Sequence, residues 1–255
     1  MGSSGTGGSH PIEARHIVVG MACLDRPADE IAGLFQTLRS TERERAARFR
    51  SVVEARRAVA SRGLLRELLG RILHLPPRDI EIQATARGKP ELLGGEEGQR
   101  LHFNVTHSGA LALFAFTRAG PVGVDVEAVV PGRDLDALAS RYFSRREIEA
   151  LRALDPRERT VGFFRAWTRK EAVVKATGEG LDCDLSSFDV TLEPEEPARI
   201  LAWRSRARSV RGWTLHHLAP APGYVGAVAV RGRAGIGLVQ DRLCCVPATA
   251  VARDA

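Results

Sequence analysis

The sequence predicts an α+β protein of two halves, each with helices laid against a small antiparallel sheet. Three observations carry this. Short apolar runs of period two are bounded by Gly and Pro. Longer runs of helical period lie on both sides of Pro121, and strand-like segments return after the last long helix.

The elements follow in order. Met1 to His10 is Gly/Ser-rich and reads as a flexible leader outside the fold. Ile17 to Ala22 is a first strand. Thr41 to Arg50 and Ala55 to Leu73 have helical period, with Leu64, Leu65, Leu68, Leu69 and Ile72 as a buried stripe. Pro76-Pro77 stops that helix, Ile80 to Ile82 is a strand, and Leu92 to Gln99 is a Gly/Glu loop. Leu101 to His107 and Ala110 to Thr117 pair as a hairpin through Gly109. Pro121 to Glu127 opens the second half as a strand. A helix follows from about Asp134, then one capped by Ser144 and Glu147. A long helix from about Pro156 to Thr177 ends at Gly178. Strands are expected at Phe188 to Leu192, Trp213 to Leu218 and Tyr224 to Val230. The division is a leader at 1–10, halves at 11–120 and 121–235, and a tail at 236–255.

Composition narrows the function. A chain of 255 residues with 44% hydrophobic content can bury a core, and a net charge of +6 favours anionic partners. Aromatics are 5% of the chain and are not interleaved with the basic residues, which argues against nucleic acid. Four cysteines show no zinc or CxxC spacing, and the adjacent Cys244-Cys245 is a poor disulfide framework, so a reducing, cytoplasmic compartment is expected. No apolar run is long enough for a membrane span and no signal peptide opens the chain.

Three segments carry chemistry. Around Trp167, helical spacing sets Phe164, Trp167, Glu171 and Lys175 on one side. This is either an ordinary i,i+4 ion pair behind a core Trp or a catalytic pair. In Val122 to Glu127, the valines point to one face and Asp125 and Glu127 to the other. That face is a wet acidic edge, or, with Glu171, an oxygen set suited to Mg2+. His107 closes its strand beside Ser108, as a structural hydrogen-bonder or as a phosphate contact. Arg43, Arg45, Arg48, Arg50, Arg56 and Arg57 crowd one region and read chiefly as a solvated face, with Glu44 four residues before Arg48.

In their order, these segments resemble the Sfp-type 4'-phosphopantetheinyl transferases. The matching blocks are Arg87-Gly88-Lys89-Pro90, Phe103 to Ser108, Gly123 to Glu127 and Trp167 to Lys175. Two shorter ones are Arg141-Tyr142-Phe143-Ser144 and Gly178-Glu179-Gly180-Leu181. The resemblance is strong over roughly residues 40 to 190, with Thr106 where the family usually has Ser.

The resemblance implies a pseudo-twofold monomer with its active site in a cleft between the halves. It implies transfer of the phosphopantetheine arm of coenzyme A to a serine of an acidic apo acyl or peptidyl carrier protein. Asp125, Glu127 and Glu171 would hold Mg2+. Glu171, Lys175 and His107 would be catalytic, with Glu171 or a metal-bound water as the base. Lys89, His107, Ser108, Arg45, Arg57 and Lys175 would contact coenzyme A. The carrier would dock near Tyr142 and Phe143, unless these are core. The alternative class is a non-catalytic module that binds a carrier protein or nucleic acid.

Overall fold

The computed structural model describes residues 12, 15–93, 101–130, 134–180, 183–205, 208–232 and 235–242. The leader, most of the Gly/Glu loop, Leu181, the Cys244-Cys245 pair and the end of the tail lie outside the described residues.

The protein is α+β. A four-stranded sheet has the order β11-β1-β5-β4: β11 (Gly237–Arg242), β1 (His16–Cys23), β5 (Leu111–Thr117) and β4 (His102–Ser108). A second sheet is β6-β10-β9: β6 (Val122–Ala128), β10 (Tyr224–Arg231) and β9 (Trp213–Leu218). Two hairpin-like pairs, β2 (Ile82–Ala84) with β3 (Pro90–Leu92) and β7 (Phe188–Val190) with β8 (Ile200–Trp203), stand apart. The first sheet is mixed rather than wholly antiparallel, because β11 runs parallel to β1. The segment 237–242, read from sequence as tail, therefore forms the edge of the sheet that holds β1, β5 and β4. Its strand character was masked by Gly, Asp and Arg. β8 and the helix α1 (Ala28–Thr37) were also missed.

Five further helices are α2 (Ser40–Ala47), α3 (Val52–Leu73), α4 (Leu135–Tyr142), α5 (Arg145–Ala153) and α6 (Arg159–Thr177). Their ends follow local chemistry. The Ser144 hydroxyl accepts from the Glu147 N–H while the Glu147 carboxylate accepts from the Ser144 N–H, closing the expected capping box on α5. Gly178, at φ 75°, ends α6 in the left-handed region open to glycine. Among the described residues, no helix is long and apolar enough to cross a membrane. The described cysteines, Cys23 and Cys183, are free thiols.

The two sheets share a core. Ile17, Val19, Leu113 and Ala115 of the first pack with Val122, Val124, Val126, Val228 and Val230 of the second. The valine face of β6 is thus buried, as its alternation predicts. The opposite face meets α6 through Gly123. A Cβ there would lie 2.1 Å from the Ala172 carbonyl oxygen and 2.4 Å from the Ala176 nitrogen. Small residues at 123, 172 and 176 let helix and strand backbones touch, which brings Glu171 and Lys175 beside Asp125. We expect Gly123→Ala to lower unfolding free energy by about 3 kcal/mol, the upper end for overpacking, since the obstruction is backbone that cannot rotate away. Urea unfolding against wild type measures it.

Candidate active site

β4 and β6 lie side by side without a ladder between them, joined by polar side chains of β4. The Val124 N–H donates to Asn104 Oδ1 at 2.9 Å. The Thr106 hydroxyl donates to Asp125 Oδ1 at 3.2 Å, and the Ser108 hydroxyl to Glu127 Oε2 at 3.0 Å. Residues 104, 106 and 108 share one face by strand alternation, so one sequence pattern holds both carboxylates in place. Sequence reasoning gave Asn104 and Thr106 no role. Their signal was the run of three polar residues at spacing two.

Asp125 is 4% exposed, which removes the reading of β6 as a wet edge. Its Oδ1 receives the Lys175 ammonium at 2.6 Å, and that ammonium also donates to the Thr106 hydroxyl at 3.2 Å. Burial pushes the Asp125 carboxyl up from its ordinary value, with the Lys175 charge as the main opposing influence. Its other oxygen, Oδ2, is buried with no hydrogen-bond partner. Glu171 is half-buried. Its carboxyl is raised by burial first and then by the charge of Asp125, Lys175 opposing and Glu127 adding to the rise. The three carboxylates therefore lie close enough to feel one another. Among the described residues, however, no three His, Cys, Asp or Glu side chains are set as a metal-holding group. The cation that meets Asp125 is Lys175.

The side of α6 that carries Trp167, Glu171 and Lys175 is the partly open one, while almost every other position from Gly162 to Ala176 is buried. Of the four residues that the spacing set on one side, Phe164 is buried, whereas Trp167, Glu171 and Lys175 are partly open. Trp167 packs edge-on against Tyr142 at 5.4 Å and stacks on Phe163 at 5.9 Å. The buried side instead carries cations. Arg169 donates to the Thr191 carbonyl at 2.5 Å and hydroxyl at 2.9 Å, and burial pushes its guanidinium down to about 10. Lys170 is fully buried and ion-paired with Glu147 at 2.8 Å.

The basic residues divide. His107 is exposed. Partial burial of its ring lowers its pKa from the usual value, Lys175 and Arg57 adding to the effect and Glu54 opposing, so these groups share its surroundings. Arg57 is held by Asp25 through two hydrogen bonds of 2.7 and 2.8 Å and lies 3.6 Å from Glu54. Lys89 sits at the β2–β3 turn, where its ammonium donates to the carbonyls of Val122 at 3.1 Å and Ala176 at 3.3 Å. It ties that turn to the start of β6 and the end of α6. Arg45 is exposed on α2, and no hydrogen bond or ion pair links it to the site among the described residues. The expected pairing of Glu44 with Arg48 is absent among the described residues. Glu42 instead holds Arg62 at 3.2 Å and the buried Arg66 at 2.7 Å. Docking through Phe143 is overturned: it is 3% exposed and stacks on Phe163 at 5.0 Å, because α4 turns it into the core.

Residues 121–229 match the 4'-phosphopantetheinyl transferase superfamily, and residues 26–118 match the family described as 4'-phosphopantetheinyl transferase, N-terminal. The chain is 39% identical over 209 residues to the 4'-phosphopantetheinyl transferase HetI of Nostoc sp., covering 82% of this chain and 85% of that protein. It is 34% identical over 174 residues to the 4'-phosphopantetheinyl transferase Sfp of Bacillus subtilis, covering 68% and 75%. A human protein, L-aminoadipate-semialdehyde dehydrogenase-phosphopantetheinyl transferase, is 30% identical over 167 residues, covering 62% and 54%. The chain is thus an enzyme of the transferase class. It belongs to the 4'-phosphopantetheinyl transferase superfamily.

Proposed function

We propose that this chain transfers the 4'-phosphopantetheine arm of coenzyme A to a serine hydroxyl of an apo acyl or peptidyl carrier protein. The observation that most supports it is the buried Asp125 with one oxygen on Lys175 and the other without a partner, next to two more carboxylates. The charges of Asp125 and Glu127 both act on Glu171, and three like charges in mutual reach favour a compensating cation. A hard divalent ion such as Mg2+ takes oxygen donors of this kind, so the chemistry of the donors suits it, and Lys175 meets Asp125 in this arrangement. Asp125, Glu127 and Glu171 would hold that ion. When bound, it would offset charge on the diphosphate of coenzyme A.

The remaining roles belong to the chain's own groups. In the reaction, the serine oxygen forms a bond to the phosphorus bearing the pantetheine, and the bridging P–O bond to the adenosine side breaks. Adenosine 3',5'-bisphosphate leaves. Glu171 takes the serine proton. The raised pKa of its carboxyl brings it nearer neutrality, where a general base works best. Lys175 offers positive charge where the leaving phosphate gains negative charge. His107 and Arg57 donate to phosphate oxygens at the open side, and Arg45 extends that basic surface. Lys89 uses two of its three N–H groups on carbonyls and directs the third to the coenzyme. Ser108 acts by holding Glu127.

The test is mass spectrometry of several apo carrier proteins incubated with this protein, coenzyme A and Mg2+. A mass gain of one phosphopantetheine on the carrier serine is expected. Chelation of divalent ions should abolish it and added Mg2+ should restore it. No gain on any carrier would leave the non-catalytic binding module as the better reading.

A further inference from the structure

Phe49, Val52 and Val53 are 46%, 74% and 51% exposed, an apolar cluster within five residues at the corner between α2 and α3. Val52 and Val53 open α3 directly after its cap Ser51, so the helix end itself holds them out to solvent. Contiguous exposed apolar groups on a folded surface mark contact sites.

The charges around them are unlike those elsewhere in the same basic region. Arg56 donates to the Arg26 carbonyl at 2.7 Å, Arg57 binds Asp25, and Arg62 and Arg66 bind Glu42. Arg48 and Arg50, which flank Phe49, are exposed and make no side-chain hydrogen bond or ion pair among the described residues. Arg45, one turn before Phe49, is likewise exposed without such a partner, so the arginines left to solvent run along α2 toward the exposed apolar residues.

The corner is also connected to the active site. One turn beyond Val53, Arg57 grips Asp25, and the neighbouring Leu24 N–H donates to the Ala110 carbonyl at 2.7 Å. Ala110 lies in the turn between β4 and β5, next to the Ser108 that holds Glu127. This series of contacts joins the corner to the hairpin that carries His107.

We propose that Phe49, Val52 and Val53, with Arg48 and Arg50, form a docking surface for an acidic, amphipathic helix of the protein substrate. An apolar centre with unpaired guanidinium groups complements a helix that has apolar residues on one face and carboxylates at its rim. This rests on the transfer reading for the partner's identity, and the active site alongside is where its serine would have to arrive.

The experiment uses a bacterial fatty-acid apo acyl carrier protein with wild type, Val52→Ser/Val53→Ser and Arg48→Glu/Arg50→Glu, circular dichroism showing each variant folded. Carrier binding is measured by calorimetry without turnover, and KM for carrier and for coenzyme A with turnover. Both double variants should weaken carrier binding roughly tenfold or more, a loss of about 1.4 kcal/mol, and leave KM for coenzyme A within about twofold. Raising salt should weaken wild type more than the charge-reversed variant. Unchanged carrier binding by the folded variants, or none by wild type, overturns the proposal. So does a wild-type dimer that Val52→Ser/Val53→Ser dissociates, since the patch would then cover a second copy. Carrier binding without mass gain would defeat the transfer reading and leave docking standing. Mass gain with unchanged carrier KM in the variants would do the reverse.

Discussion

Lys170→Met should lower the unfolding free energy by about 3–5 kcal/mol, the range for removing one partner of a buried ion pair. Lys170 is fully buried, and its ammonium also donates to the Leu185 carbonyl at 2.7 Å and the Phe188 carbonyl at 2.5 Å. Methionine fills a similar volume, so the loss isolates the polar network rather than a cavity. Glu147, 1% exposed, would lose the ammonium that pairs with it. Adding Glu147→Leu should recover only part of the loss. The Glu147 carboxylate also accepts from the Val190 N–H at 2.8 Å and the Ser144 N–H at 2.9 Å, and those donors would then be orphaned. Chemical denaturation of the two single variants and the double gives the coupling directly. A loss under about 1 kcal/mol for Lys170→Met would mean that the pair is not what fastens α6 to β7.

Glu171→Gln should reduce phosphopantetheine transfer by roughly 10²–10⁴-fold, the scale of a lost general base. The same variant should be at least as stable as wild type. The Glu171 carboxyl is raised in the folded protein by burial and by Asp125. A carboxyl with a folded pKa above its unfolded one favours the fold when protonated, and that advantage is lost as pH rises through the folded value. At neutral pH the ionised group opposes folding, so the neutral amide relieves it. Wild type should therefore gain stability relative to Glu171→Gln as pH falls toward the carboxylate range. A melting-temperature series from pH 7 to about pH 4 reads this, beside single-turnover transfer rates. Lower activity together with a lower melting temperature at neutral pH would assign Glu171 to structure instead.

Much of the local structure was legible because local chemistry decides it. The Ser144–Glu147 box, the Gly178 stop and the valine alternation of β6 each follow from neighbouring residues. The site pairs were legible for the same reason, since Glu171 and Lys175 are one turn apart and Asp125 and Glu127 two residues apart. What was not legible was orientation. The side of α6 with Phe164, Trp167, Glu171 and Lys175 was read around a core Trp, while the structure also turns Arg165, Arg169 and Lys170 inward. Cations at those positions are tolerated because the β7 region supplies carbonyls and α5 supplies Glu147, partners that no window along the helix contains. β11 was hidden similarly, since its place is set by a long-range parallel pairing with β1.

From its residues alone, this chain determined most of its helices and strands, their caps, and the grouping of acidic and basic side chains on particular faces. Those are consequences of backbone period and neighbour contacts. The tertiary structure decided which faces meet: the glycine of β6 against α6, the polar side of β4 against the acidic side of β6, and Lys175 on Asp125. Such pairings depend on burial and on carboxylate–ammonium distances set by elements far apart in sequence. Local pattern carries no information about either.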